Sequence, residues 1–180
     1  DRETMEDYAA YNPRVIHVGN SIVCHPPKER ALPEEPVRLL YAGRLSAVKN
    51  VGPLIEAAKG WERDCILDIF GDGEERRRLE ETAGGSRRIR FHGAVTPDEV
   101  QKVMWESDML VMNSTFEGIP MIILEAISTG LPVVTTDVGG IKEVLTCGAD
   151  CEVTDGSVPG IRRAMDRILS DYGRYSRAAW

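Results

Sequence analysis

The sequence predicts an α/β domain with a doubly wound parallel sheet of the Rossmann-like type and helices on both of its faces. From residue 37 onward, short apolar runs alternate with longer amphipathic segments. Strands that alternate with helices imply right-handed crossover connections and therefore a parallel sheet. The runs Met109–Met112 and Leu131–Val134 are apolar throughout, which is typical of strands that are buried on both faces.

The individual elements follow from this alternation in chain order. The apolar runs predict six strands, at Val37–Ala42, Cys65–Phe70, Ile89–His92, Met109–Asn113, Pro132–Thr135 and Asp150–Val153. The amphipathic segments predict helices near residues 50–60, 74–84, 97–106, 120–129, 140–146 and 157–170. Each helix connects two strands or follows the last one, as a doubly wound sheet requires.

Two of the predicted helices have specific start signals. Thr96 and Glu99 have the spacing of a capping box, with Pro97 at the first helical position. Pro120 is predicted to be the first residue of its helix, because the amide that proline lacks would have no intrahelical partner there. The backbone N–H groups at that start and the positive end of the helix dipole would suit a phosphate group.

The composition predicts one globular domain and argues against several classes of protein. The chain has 180 residues, 42% of them hydrophobic, which is enough for a core of its own. Its formal net charge of −7 argues against a nucleic-acid-binding protein, which is normally basic. No apolar stretch approaches the roughly 20 residues that span a membrane. The cysteines form no zinc signature, and we expect reduced thiols in a cytoplasmic protein; they are Cys24, Cys65, Cys147 and Cys151.

The chain divides into three parts. Residues 1–36, which include the proline-rich stretch Pro26–Pro36, are interpreted as an interdomain linker and entering segment. Residues 37–170 form the predicted ligand-binding domain, and residues 171–180 form a helix-compatible tail that is cut short. Because the sequence begins with Asp1 rather than Met, we expect it to be a fragment or a processed chain.

Polar residues and glycines follow five of the predicted strands. The carboxyl ends of parallel strands meet at one edge of the sheet, where open α/β folds bind their ligands. These five loops therefore predict a lined cleft. In chain order they carry Gly43, Arg44 and Lys49, then Gly71, Asp72 and Gly73, then Gly93, then the run from Asn113 to Pro120, and finally Gly139 and Gly140.

Most of these residues also have a simpler interpretation. Arg44 and Lys49 could converge on a diphosphate through charge-assisted hydrogen bonds of about 1.5–3 kcal/mol each, or they could be ordinary surface cations. Asp72 could belong to a tight turn and helix cap, and no second carboxylate is spaced to make a metal site with it. His92 is interpreted as a hydrogen-bonded structural histidine near the cleft. The cluster Arg76–Arg78 either pairs with glutamates along its helix or forms a membrane-surface patch.

Glu117 and Glu125 frame the predicted helix start at Pro120. Carboxylates accept hydrogen bonds from sugar hydroxyls and helix termini bind phosphates, so the pattern indicates a nucleotide-sugar site. Glu117 could instead be a neighbour of the helix cap and Glu125 a surface residue, although an unpaired carboxylate in the apolar run around Glu125 is costly. A glycosidase pair is a third interpretation, but it leaves Arg44 and Lys49 unexplained.

An ordered set of motifs carries a family resemblance. The motifs are Tyr41–Leu45, Lys49-Asn50, Phe70–Gly73, Phe91–Gly93, Glu117–Ala126, Gly130–Val134 and Gly139–Glu143. In order and spacing, the chain from about residue 15 to about residue 170 resembles the C-terminal, donor-binding half of retaining glycosyltransferases of the GT-B fold, specifically glycosyltransferase family 4. The resemblance implies that this domain is one half of a GT-B architecture.

The resemblance also implies a role for each matching residue. Arg44 and Lys49 would contact the donor diphosphate and stabilise charge on the leaving nucleotide, and Glu117 would orient the transferred sugar; these are the three expected catalytic residues. Glu125 would bind the ribose hydroxyls. The other expected donor-binding residues are Gly43, then Gly71, Asp72, His92, Gly93 and Val95 around the base, and Gly118, Ile119, Met121 and Ile122, whose backbone would support the sugar and phosphates.

The implied reaction moves a hexose from a UDP-, GDP- or ADP-sugar to a glycan, lipid or small-molecule acceptor, with retention and without an essential metal or other cofactor. The acceptor site would lie on an N-terminal domain of the same protein, so this chain would bind the donor but be inactive alone. The enzyme would work in the cytoplasm or at the cytoplasmic face of the membrane, with peripheral membrane contact and no nucleic-acid partner. Two alternatives stay open, a non-catalytic nucleotide-sugar-binding regulatory module and a GT-B-fold sugar-nucleotide epimerase.

Overall fold

The structure of the protein, a computed structural model, describes Tyr11, residues 30–145 apart from the side chains of Lys142 and Val144, and residues 148–178. Most of the predicted linker of residues 1–36, the cysteines Cys24 and Cys147, and the last two residues of the predicted tail lie outside the described residues.

A parallel sheet forms the centre of the domain and confirms the predicted fold class. Within the described residues it has six strands in the order β3-β2-β1-β4-β5-β6, which is the strand order of a doubly wound Rossmann-like sheet. The strands are β1 (Val37–Ala42), β2 (Cys65–Phe70), β3 (Ile89–Gly93), β4 (Met109–Val111), β5 (Val133–Thr136) and β6 (Cys151–Thr154). The first two have the predicted bounds, whereas β4 ends two residues before the predicted Asn113.

Helices cover both faces of the sheet. They are α1 (Gly52–Lys59), α2 (Arg76–Ala83), α3 (Pro97–Glu106), α4 (Met121–Ser128), α5 (Ile141–Val144), α6 (Val158–Ser170) and α7 (Tyr172–Ala178), and a 3-10 turn spans Ala47–Lys49. One apolar core packs residues of α1, α2, α6 and α7 against the sheet, and a second core on the opposite face contains residues of α3, α4 and α5. In the part of the chain that the structure describes, no helix is both long and apolar enough to cross a membrane.

The two predicted helix starts have different outcomes. The capping box of α3 is confirmed, because the Glu99 amide donates to the Thr96 hydroxyl while the Glu99 carboxylate accepts from the Thr96 amide. The prediction for α4 is wrong by one residue. Pro120 is the N-cap of α4, with an extended backbone at ψ 118°, so that Met121 is the first helical residue.

The segments on either side of residues 37–170 contact the domain. Arg30 donates to the carbonyl oxygens of Met104 (2.9 Å), Ser107 (2.6 Å) and Thr129 (3.2 Å). Ser107 and Thr129 are the C-caps of α3 and α4, where a guanidinium suits the negative end of the helix dipole. At the other boundary, the Tyr172 hydroxyl of α7 donates to the carbonyl of Asp108 (2.9 Å). The predicted domain limits stay predictions.

Candidate functional site

The candidate site lies where the order of the sheet reverses, between β1 and β4. Ligands of doubly wound sheets bind at this switch point, at the carboxyl ends of the strands. The loops after the two strands are hydrogen-bonded to each other there, because the Thr115 amide donates to the carbonyl of Val48 (2.8 Å). The Tyr41 hydroxyl stabilises the loop after β1 by donating to the carbonyl of Arg44 (2.9 Å). Burial, and secondarily the charge of Glu117, raise the pKa of Tyr41, so its hydroxyl keeps its proton and remains a donor.

Two predicted catalytic residues meet across this switch point. The Lys49 Nζ lies 2.5 Å from Oε1 of Glu117, although the two residues are far apart in the sequence. Glu117 is only 7% exposed, and the buried Ser114 donates its hydroxyl to the same oxygen at 2.6 Å. Both donors therefore contact Oε1, whereas Oε2 accepts no hydrogen bond from the described residues. The pair fixes the carboxylate and leaves Oε2 available to a ligand hydroxyl.

The loop after β5 holds the backbone around Glu117. The Thr136 hydroxyl donates to the carbonyl of Ser114 (2.6 Å), and the Gly140 amide donates to the carbonyl of Gly118 (3.0 Å). Gly139 has a positive φ of +57°, and a Cβ at this position would lie 1.7 Å from the carbonyl oxygen of Glu117. Only glycine fits this contact, which sets the position of Glu117.

A similar contact joins the loops after β1 and β2. Gly71 has a φ of +130°, and a Cβ there would lie 1.9 Å from the carbonyl oxygen of Gly43. The Gly71 amide donates to the carbonyl of Gly93 (2.7 Å), which joins the end of β3 to these two loops. Three of the five predicted loops are thus joined through backbone contacts at Gly43, Gly71 and Gly93.

A groove of about 360 Å³ opens beside the N-terminus of α4, and we call it the α4 groove. Phe70, Val95 and Val100 provide its apolar walls. The half-buried Glu125 is its acidic residue, and within the described residues its carboxylate has no hydrogen-bond donor or ion-pair partner. The groove brings together six of the predicted donor-binding residues, which are Gly43, Gly71, Val95, Met121, Ile122 and Glu125.

The start of α4 adds hydrogen-bond donors to this groove. The Ile123 amide donates to the carbonyl of Pro120 (3.1 Å), whereas the amides of Met121 and Ile122 have no acceptor among the described residues. Such amides at a helix N-terminus favour an anion. Because Pro120 is the cap rather than the first helical residue, the available donors begin at Met121.

Other predicted site residues make contacts within the domain. Asp72 accepts from the Gly73 amide (2.8 Å) and from Arg76 (3.1 Å), as in the turn-and-cap interpretation. His92 Nε2 lies 2.6 Å from Asp68 Oδ1, and its ring stacks on Phe70 with centroids 4.3 Å apart. The structural interpretation of His92 is therefore confirmed, while the ligand roles of Asp72 and His92 stay predictions.

Arg44, the third predicted catalytic residue, has a different partner from Lys49 and Glu117. Its guanidinium contacts Glu74 at 3.2 Å, with the two side chains 73% and 56% exposed. A backbone hydrogen bond and Arg44 hold the pKa of Glu74 below its usual value. The predicted pairing within the arginine cluster is confirmed, since Arg76 contacts Glu80 (2.9 Å) and Arg77 contacts Glu81 (3.2 Å).

Ser114 and Thr136 position Glu117, although the sequence pattern indicates no role for either. Ser114 stands three residues before Glu117, and that spacing was the available signal. Thr136 could not be found in this way, since it reaches Ser114 from another loop. Among the described residues, no group of three or more His, Cys, Asp or Glu side chains is arranged to hold a metal ion.

Comparison with known proteins identifies the family. A family model described as "Glycosyl transferases group 1" matches residues 36–171. The chain belongs to this family of glycosyltransferases. Its membership confirms the resemblance to GT-B glycosyltransferases, and the matched range contains the six described strands.

Relatives of this glycosyltransferase family match most of the chain. An uncharacterised glycosyltransferase of Methanocaldococcus jannaschii is 33% identical over 75% of the chain and 36% of its own length. The alpha-D-kanosaminyltransferase of Streptomyces kanamyceticus is 31% identical over 78% of the chain and 38% of its length. The lipopolysaccharide 1,6-galactosyltransferase of Salmonella typhimurium is 29% identical over 92% of the chain and 46% of its own length. The chain thus spans less than half the length of these relatives.

Solved structures of glycosyltransferases share the fold. The Anabaena HepE protein in complex with UDP-glucose superimposes with a TM-score of 0.73 at 22% identity, over 81% of this chain and 42% of that one. The lipopolysaccharide outer core galactosyltransferase WaaB gives a TM-score of 0.70 at 25% identity, over 90% of this chain and 48% of that one. The C-terminal domain of the Francisella tularensis LpcC protein gives 0.66 at 23% identity, over 85% and 89%. The domain therefore has the fold of one Rossmann-like half of a GT-B glycosyltransferase.

Proposed function

We propose that this chain is the donor-binding half of a retaining glycosyltransferase that moves a hexose from a nucleotide diphosphate sugar to a glycan, lipid or small-molecule acceptor. The observation that carries the proposal is the meeting of Lys49 and Glu117 at the switch point, beside the α4 groove. The relatives support it, because they include an alpha-D-kanosaminyltransferase and a lipopolysaccharide 1,6-galactosyltransferase. The HepE structures in complex with UDP and with UDP-glucose support a nucleotide sugar as the ligand.

The nucleoside of the donor would occupy the α4 groove. Phe70 and Val95 offer apolar surface to a base, and the backbone of His92 and Gly93 continues along the same edge of the sheet. Glu125 would accept hydrogen bonds from the ribose hydroxyls. This contact would give its carboxylate the donors that the described residues do not supply, and hydrogen bonds to a charged group stabilise by about 1.5–3 kcal/mol.

The diphosphate would lie at the start of α4. The amides of Met121 and Ile122 and the positive end of the helix dipole favour its negative charge. Lys49 would contact it from the opposite loop, and Arg44 would join after exchanging Glu74 for a phosphate oxygen. Because the Arg44–Glu74 pair is mostly exposed, water screens it and little stability is lost when it breaks.

The sugar would bind at Glu117, whose Oε2 would accept from its hydroxyls. Transfer with retention would pass through an oxocarbenium-like transition state, in which negative charge develops on the departing diphosphate. Lys49, Arg44 and the α4 terminus would stabilise that charge from fixed positions. These groups supply the positive charge that the leaving group needs, so we propose a reaction without an essential metal or other cofactor.

The acceptor partner and the location of the enzyme complete the proposal. We assign the main acceptor site to an N-terminal domain of the same protein, in line with the 36–46% of the relatives' length that the chain covers. The chain alone would then bind donor without transferring sugar. The net charge of −7 disfavours nucleic-acid partners. We place the enzyme in the cytoplasm or at the cytoplasmic face of the membrane, where nucleotide sugars and lipid acceptors meet.

Calorimetric titration of the 180-residue chain with UDP, GDP, ADP and their glucose conjugates tests the proposal. We expect one nucleotide series to bind, and Lys49→Ala to weaken it roughly tenfold or more, which is at least about 1.4 kcal/mol. Lys102→Ala is the matched control, since Lys102 is an exposed lysine on α3 outside the α4 groove. Absence of binding to every nucleotide, or equal binding by the Lys49→Ala variant, would contradict the proposal. Conversion of a nucleotide sugar to an isomer without acceptor would favour an epimerase instead.

A further inference from the structure

A second cavity lies at the same edge of the sheet, on the other side of the loop after β4. We call it the polar cavity. It has a volume of about 500 Å³ and shares no lining residue with the α4 groove. Its lining comes from the last residues of β5 and β6, the residues that follow β4, β5 and β6, and the residue after the 3-10 turn: Asn50, Asn113, Ser114, Thr115, Thr136, Asp137, Val138, Thr154, Asp155 and Gly156.

The lining of the polar cavity favours a neutral ligand that carries hydroxyl groups. No lysine or arginine is among the described residues that form it, so a phosphate would meet no cation there. Amides, hydroxyls and carboxylates predominate, with Val138 as the apolar exception. The Ser157 hydroxyl and amide hold the pKa of Asp155 below its usual value, so near neutral pH Asp155 is a carboxylate that accepts hydrogen bonds.

Asn113 supplies the second and independent observation. Its side chain is fully buried, and its Nδ2 donates to the carbonyl oxygens of Asn50 and Gly156, both at 3.3 Å. These two bonds fix the orientation of the amide. Its Oδ1 is the buried side-chain oxygen without a hydrogen-bond partner among the described residues. Buried polar atoms of native proteins normally have a partner, and a ligand hydroxyl would supply one.

Gly156 keeps space beside that oxygen. Its φ is +79°, and a Cβ at this position would lie 3.1 Å from Asn113 Oδ1 and 3.6 Å from Thr136 Cγ2. A larger residue would therefore fill the space next to the unpaired acceptor. The polar cavity thus combines a fixed, buried acceptor with a glycine that leaves room next to it.

We infer that the polar cavity binds a neutral, hydroxyl-rich group, a sugar ring or a polyol, and that this group belongs to the acceptor. The assignment to the acceptor rests on the proposed function, whereas the sugar site itself does not. Ser114 connects the two sites, because it lines the polar cavity and donates to Oε1 of Glu117 at 2.6 Å. A group in the polar cavity is therefore one side chain away from the carboxylate that would orient the transferred sugar.

Amide NMR of the 180-residue chain tests the inference, with methyl α-glucoside, methyl α-galactoside and myo-inositol as probes. We expect at least one probe to shift the Asn113 side-chain amide and the Gly156 backbone amide in a saturable manner within the millimolar range. Gly156→Ala should weaken that binding roughly tenfold or more. Gly148→Ala is the matched control, because Gly148 has nearly the same φ of +80° with nothing within 4 Å of an added Cβ.

Three results would overturn the inference. They are the absence of saturable shifts with every probe, equal binding by the Gly156→Ala variant, and a sugar-soaked crystal in which Asn113 Oδ1 contacts only a water molecule. Should the Gly156→Ala variant not fold, Asp155→Asn keeps the test open, with a several-fold weakening expected and unchanged binding contradicting the inference. Nucleotide binding is read separately at the Met121 and Ile122 amides. Its failure there would overturn the proposed function and the acceptor assignment, while the Asn113 shifts would still decide the sugar site.

Discussion

The α4 groove and the polar cavity lie at one edge of the same sheet but have opposite chemistry. Among the described residues, the groove has apolar walls, one half-buried carboxylate and two helix amides without acceptors. The polar cavity has hydroxyls, amides and carboxylates and, among the described residues that line it, no basic side chain. The loop that carries Ser114 and Glu117 separates them. This one loop would therefore divide the proposed nucleotide site from the proposed sugar site.

Gly139→Ala should disturb both sites and have the largest effect, because it moves the loop that separates them. The added Cβ would meet the Glu117 carbonyl at 1.7 Å, so the backbone must shift in a region of positive φ. We expect a loss of more than about 3 kcal/mol of folding free energy and loss of ligand binding in both sites. Denaturant unfolding measures the first effect. Gly148→Ala, the control in open space, should lose only about 1–2 kcal/mol of folding free energy through backbone strain. An equal loss in both variants would contradict the steric role assigned to Gly139.

Glu125→Gln should separate the two sites by weakening only the α4 groove. Replacing the carboxylate removes charge-assisted bonds to the ribose, each about 1.5–3 kcal/mol, so nucleotide affinity should fall between tenfold and a hundredfold. Sugar shifts at Asn113 should stay unchanged. Glu62→Gln, an exposed change away from the α4 groove, serves as the control in the same calorimetric titration. Unchanged nucleotide affinity in the Glu125→Gln variant would remove Glu125 from the site.

Ser114→Ala changes the residue that connects the two sites, since Ser114 lines the polar cavity and donates to Glu117. Without the Ser114 hydroxyl, Glu117 keeps Lys49 but loses the second bond to Oε1, which is worth about 1.5–3 kcal/mol. We expect the extra affinity of a nucleotide sugar over its free nucleotide to fall several-fold, with free nucleotide binding unchanged. Ser114→Thr, which keeps the hydroxyl, should restore it. A parallel loss for nucleotide and nucleotide sugar would indicate a general structural role.

Asp155→Asn should also change the acid dependence of stability at the polar-cavity side. The pKa of Asp155 is lowered in the folded protein by the Ser157 hydroxyl and amide. Its contribution is therefore present above the ordinary carboxylate pKa of about 3.9 and is lost as pH falls through the lowered value. Melting temperatures of the Asp155→Asn variant should thus fall less steeply than those of the wild type below about pH 4. Parallel curves would mean that the Ser157 contacts do not form.

Glu74→Gln should have the smallest effect, because the Arg44–Glu74 pair is exposed. We expect no measurable stability change and a slight gain in nucleotide affinity, since Arg44 would be free to contact the proposed diphosphate. Calorimetry at low and high salt measures the gain, which should vanish as salt screens the charges. A clear loss of affinity would show that Glu74 holds Arg44 in its working position.

The sequence allowed the sheet to be predicted closely but not the contacts between its loops. The apolar runs at β1 and β2 gave correct strand bounds because a buried strand needs little more than continuous hydrophobicity. Glu125 and Met121 line the α4 groove, a position that follows from the helix after β4, while their ligand roles stay predictions. The pairing of Arg44 with Glu74 and the bond from Thr136 to Ser114 depend on how separate loops fold over one another, and spacing in the sequence carries no such information.

Arg30 contacts the end of α4 opposite to the proposed phosphate site. The helix has eight residues and is therefore a rod of about 12 Å. Its first turn points at the proposed diphosphate, and Arg30 holds the C-cap Thr129 at its far end. The same guanidinium also holds the end of α3, whose first residues, Pro97 and Val100, line the groove. One side chain at the entry to the domain thus ties together the C-terminal ends of the two helices whose first turns line the α4 groove.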